Sequence, residues 1–143
     1  MSPTTRAFLR ASVLWLALGT TLGAAMAAVP RLVVYRPVHL HLNLLGFVAM
    51  MIFGVGYHVI PRFAGHPLRS ERLAAVHWWL ANLGLGTFAA GLALLPHAPQ
   101  VGRLAAAGGG ICSALGAYAF AWNIWRTLGR PAERASRMPV LQA

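Results

Sequence analysis

The chain contains no lysine, and its only acidic residues are Glu71 and Glu133. A mechanism that needs a carboxylate within a membrane is therefore nearly excluded. The single cysteine, Cys112, rules out an intrachain disulfide framework. Lying inside an apolar run, it reads as a small packing residue. Charge of any kind is scarce. Charged residues make up 10% of the 143 positions against 58% hydrophobic, and mean hydropathy is +0.62. That balance excludes an ordinary soluble domain and indicates an integral membrane protein. The charge that remains is mostly of one sign: twelve arginines bring the formal net charge to +10. Such an excess can mark nucleic-acid binding. Here the arginines sit between long apolar runs, so topology explains them and no nucleic-acid partner is expected.

Four apolar segments, at about 7–29, 38–60, 73–95 and 104–125, each approach the roughly 20 residues needed to cross a bilayer. The expected fold is all-α: an integral membrane four-helix bundle over 1–127, followed by a polar tail over 128–143. Breakers separate the segments: Pro30 and Pro37, then Pro61 through Pro67, then "PHAPQVG" at 96–102. Connections this short imply helical hairpins. Arg6, Arg10, Arg62, Arg69, Arg72, Arg126, Arg130, Arg134 and Arg137 fall on one side, and Arg31, Arg36 and Arg103 on the other. The richer side reads as cytoplasmic. Both termini are then cytoplasmic, in a bacterial-type inner membrane. His39, His41 and His97 lie near the outer face, and His58, His66 and His77 near the inner one. The first segment also has the layout of a signal peptide, with Arg6 and Arg10, an apolar stretch and "AMA" at 25–27; a retained helix is the expectation.

Small residues mark close helix packing, which drives association in lipid. They include "AAAGGG" at 105–110 and Gly84, Gly86 and Gly91, with Gly46, Gly54 and Gly56 in the second segment. Room for a flat cofactor beside a glycine is the less favoured reading. Trp78, Trp79, Trp122 and Trp125 lie towards helix ends, as interfacial anchors do.

The second segment holds the chemistry. Residues 39–63 read "HLHLNLLGFVAMMIFGVGYHVIPRF". Imidazoles inside a membrane helix need partners and are often functional. Two positions apart on a regular helix, His39 and His41 point roughly 200° apart, so they cannot both bind one ion. His41 and His58 are seventeen residues apart, or about 26 Å along an α-helical axis, and belong to different depths. No other transmembrane histidine lies at the level of His39 and His41. A homo-oligomer resolves this: in a closed ring, each helix offers His39 to one neighbour and His41 to the other. A bis-histidine haem fits between them, because neutral imidazole is an ordinary axial ligand. Arg36, then Arg31, are the candidates to pair with propionates. Hydrogen-bonded packing is the competing reading of both histidines. His58 and His77 form a second candidate pair near the inner face, for copper at most. Asn82 equally reads as a hydrogen-bond partner to a neighbouring helix.

"HLNLLGF" from His41 and "GVGYHVIPR" at 54–62 resemble helix two of nitric-oxide reductase large subunits, within the haem–copper oxidase superfamily. In that family the histidine before "xNLL" ligates low-spin haem b, which maps onto His41. The His-x-His pattern also resembles the tenth helix of subunit I, where one histidine serves the low-spin and the other the high-spin haem. Subunit I arranges twelve helices as three sets of four around three pores. A four-helix chain with His-x-His on its second helix is similar to one set. The resemblance therefore implies a homotrimer with up to three haems, each held by His39 of one chain and His41 of the next. It does not extend to the copper site. Only His97 stands near the expected histidines, the family's carboxylates are absent, and Tyr57 lies at the other end.

The resulting expectation is a membrane b-type cytochrome carrying haem b near the periplasmic face, with an electron-transfer role and an unknown redox partner. A five-coordinate haem protein that binds or reduces NO or O2 is the alternative. A non-haem assembly or structural protein is another.

Overall fold

The computed structural model describes residues 1–129, and all of its regular structure is helical. The tail expected over 128–143, with Arg130, Glu133, Arg134 and Arg137, lies outside the described residues from 130 onwards.

Helix α1 spans Pro3–Ala28. Ser2 caps it, its hydroxyl accepting the Thr5 N–H at 3.2 Å, and Pro3 occupies a first-turn position where no N–H is needed. Helix α2 is the continuous run Pro30–Phe63. Pro30–Tyr35 winds as a 3-10 turn, Arg36–His41 is α-helical, Leu42–Ala49 is π-helical and Met50–Phe63 is α-helical again. Helix α3 spans Glu71–Leu94, with the Ser70 hydroxyl accepting the Leu73 N–H at 3.1 Å. Helix α4 spans Pro99–Leu128.

Two boundaries differ from the sequence reading. Pro30 and Pro37 do not break α2; each falls in the first turn of a helical piece, where proline fits. The second helix therefore starts eight residues before the expected 38. Helices α1, α2 and α4 are long and apolar enough to cross a membrane. Helix α3 is long enough, at 24 residues, but it carries His77, Trp78, Trp79 and Asn82 and is not among these three.

Helix α1 packs along α2, and α3 packs along α4. The two hairpins are built differently. Along α3 and α4 the glycines bring backbones together: a Cβ at Gly84 would lie 2.6 Å from the Ser113 nitrogen, and one at Gly102 would lie 2.8 Å from the Leu95 nitrogen. Gly91 and Gly109 abut the backbone nitrogens of Ala106 and Phe88 in the same way. Along α1 and α2 the glycines receive side chains instead, Gly46 against Trp15 and Gly54 against Phe8 and Leu9. A buried cluster of Phe8, Met50, Tyr57 and Leu85 joins α1, α2 and α3, and Ile124 brings α4 into it.

Polar side chains finish the packing. Trp15 Nε1–H donates to Asn82 Oδ1 at 3.0 Å, and so fulfils the interhelical role foreseen for Asn82. Buried Asn123 grips the start of α3 from α4: its Oδ1 accepts the Ser70 N–H at 3.1 Å and its Nδ2 donates to Ser70 O at 2.8 Å. Beside it, Thr127 Oγ1 accepts the Arg69 N–H at 3.0 Å. The Cys112 thiol donates to Leu80 O at 3.4 Å, consistent with its packing role. Trp79, Trp122 and Trp125 face outwards.

Candidate functional site: the histidine end of helix α2

His39 and His41 both lie in the short α-helical piece Arg36–His41, immediately before the π-helical turn. They turn to different neighbours. The His39 Nδ1 lies 2.8 Å from the carbonyl oxygen of Gly19 on α1. His41 packs edge-on against Phe88 of α3, with ring centroids 4.7 Å apart, and its Nδ1 lies 2.8 Å from Pro37 O on its own helix. This is the divergence that helix geometry requires of residues two positions apart.

The hydrogen bonds set the tautomers. A carbonyl oxygen only accepts, so each Nδ1 must carry the proton and donate it. In the neutral ring this leaves the lone pair on Nε2. No hydrogen bond to Nε2 of either ring occurs among the described residues. An imidazole with Nδ1–H donated to a carbonyl and Nε2 free is the usual form of a metal-ligating histidine, because the carbonyl fixes ring orientation and strengthens the donor. The residues therefore suit an axial-ligand role.

Asn43 completes the His39 surroundings. Its Nδ2 donates to His39 O at 2.8 Å and lies 3.3 Å from His39 Nδ1. That nitrogen already gives its proton to Gly19, so the second contact is packing. At the same end of the molecule, Tyr35 Oη and His97 Nε2 are 2.9 Å apart, tying the start of α2 to the α3–α4 connection. Arg31 and Arg36 are exposed on the first turns of α2.

The structure does not bring His58 and His77 together. His77 is fully buried and pairs with Tyr57, whose Oη lies 3.0 Å from Nδ1. Phe8, Phe53 and Phe120 also surround it. His58 meets its own-helix neighbour Arg62, whose guanidinium donates to His58 Nε2 and, at 3.0 Å, to His58 O. No group of three or more His, Cys, Asp or Glu able to hold a metal occurs among the described residues. The π-helical stretch also corrects the depth estimate. With wider turns that advance less per residue, His41 and His58 are closer along the axis than an α-helical count gives.

Sequence reasoning missed Gly19, Asn43 and Tyr35. Asn43 stood in the quoted "HLNLL", four residues after His39 and so on the same helix face. Gly19 acts through its carbonyl, and no residue type signals that.

Fold and site together describe a helical membrane protein with two histidines at one end of its second helix, each bonded through Nδ1 to a carbonyl. No protein-family model matches the chain. A stretch of 47 residues is 40% identical to the cbb3-type cytochrome c oxidase subunit CcoN1 of Stutzerimonas stutzeri, covering 32% of this chain and 10% of that subunit. The chain thus matches a small part of the relative's length.

Proposed function

We propose that the chain is a membrane b-type cytochrome that holds haem b between protomers, with His39 of one chain and His41 of the next as axial ligands. The observation that carries this reading is the shared state of the two rings: each Nδ1–H is committed to a carbonyl, and each Nε2 is free. Their opposed directions favour two half-sites per chain over one complete site. Three chains close such a ring if each supplies one helix set to a twelve-helix plan. Arg36 and Arg31 stand at the right end to meet propionates. The haem would supply one-electron chemistry, while the protein binds it and sets its environment. The arginine distribution supports a periplasmic side for this end, in an inner membrane.

The deciding experiment is the absorption spectrum and haem-to-protein ratio of purified protein, beside His39→Ala and His41→Ala. A low-spin spectrum lost in both variants is expected. A normal low-spin spectrum in either variant defeats the ligand assignment, and a wild-type protein without haem defeats the whole reading.

A further inference from the structure

The two histidines are locked by different means. The acceptor for His41 is Pro37 O, four residues back on the same helix, so that lock travels with the helix. The acceptor for His39 is Gly19 O, on α1. Gly19 and Gly23 are one turn apart and share a face of α1. A Cβ on Gly23 would stand 2.7 Å from His39 Cε1 and 3.1 Å from Nδ1, and a Cβ on Gly19 would stand 2.6 Å from Asn43 Nδ2. The two glycines thus form a notch into which the imidazole and the Asn43 amide fit, with the Gly19 carbonyl at its floor.

Resting on the haem reading above, we infer that this notch on α1 is the positioning device for one axial ligand, so that the seating of α1 against α2 controls whether the iron is closed on the His39 side. With α1 seated, His39 is oriented and its Nε2 is presented. With the notch filled, the ring loses both its place and its acceptor while His41 keeps both. A haem held by the two rings would then keep its protein ligand on the His41 side alone. The six-coordinate and gas-binding states of such a protein are two positions of one helix contact.

The test uses full-length protein that binds haem. Gly23→Ala is expected to convert the low-spin spectrum to high-spin and to let the reduced protein bind CO, and free imidazole is expected to restore the low-spin form. Gly108→Ala, where a Cβ meets nothing within 4 Å, keeps the wild-type spectrum. A Gly23→Ala protein that stays low-spin and CO-silent, or that loses its haem outright, overturns the inference. If Gly23→Ala is not recovered from membranes, His39→Gly takes its place, since it empties the notch. Rescue of its low-spin spectrum by free imidazole supports the notch, and a high-spin spectrum that imidazole leaves unchanged overturns it. A His39→Gly protein that remains low-spin without imidazole counts instead against His39 as a ligand, which separates the two failures.

Discussion

Tyr57 Oη lies 3.0 Å from Nδ1 of His77, and this buried pair links α2 to α3 among three phenylalanines. His77 Nε2 has no partner among the described residues, so the Tyr57 hydroxyl meets the only hydrogen-bonding need of the ring that is met. Tyr57→Phe leaves a buried imidazole without a partner and is expected to cost about 1–3 kcal/mol. Tyr57→Phe/His77→Leu removes both polar groups and should regain much of that loss. Unfolding in detergent followed by circular dichroism measures both, and a double variant no more stable than the single one would contradict the account.

The α3–α4 seam gives a contrast within one run of glycines. Gly109 abuts the Phe88 backbone, whereas Gly108 faces open space. Gly109→Ala forces two backbones apart and is expected to destabilise by about 1–3 kcal/mol, the usual cost of overpacking. Gly108→Ala should be neutral or stabilise by up to about 1 kcal/mol through helix propensity. Parallel denaturant titrations of the two neighbours decide the matter; equal midpoints would be inconsistent with a backbone seam.

Asn123 answers for the entry into α3. Asn123→Ala strips the part-buried Ser70 N–H of its partner and leaves Ser70 O with the Ala74 N–H alone, at about 1 kcal/mol for the lost hydrogen bonding. Hydrogen exchange should show the change locally, with faster exchange across 66–73 and little difference around His39. Uniform acceleration along the chain would point to global loss instead.

On the haem proposal, Arg36 and Arg31 stand near the propionates. Removing a cation near the iron favours its more positive oxidation state, so Arg36→Gln and Arg31→Gln should lower the midpoint potential, by an amount on the order of tens of millivolts. Redox titration of each variant beside wild type measures the shift. A rise in potential would remove them from the propionate end.

The four helices were legible because long apolar runs punctuated by proline and glycine dominate the chain. The divergence of His39 and His41 was legible too, since it needs only the helical repeat. The π-helical turn over Leu42–Ala49 was not: residue types in "LNLLGFVA" suit α- and π-helix alike. The Tyr57–His77 pair was hidden for a related reason. His77 was matched to His58, its counterpart in chemistry, while the fold presented Tyr57, one residue away and on another face. The grip of Asn123 on Ser70 joins residues 53 positions apart, so no local pattern announces it.

The unlike seams of the two hairpins have a mechanical consequence. Backbone atoms in contact cannot yield by changing rotamer, so α3 and α4 slide or part only as a whole. Side-chain ends seated in glycine hollows can turn aside, and α1 rests on α2 through such seats at Gly19 and Gly23, where Asn43 and His39 enter, whereas Gly46 meets Trp15 Cβ, which no rotamer change moves. The molecule is in effect a stiff plate carrying a compliant clip. Lipid thickness, tension or a neighbouring protein pressing on it would deform the clip first, and His39 is the residue that feels the clip move.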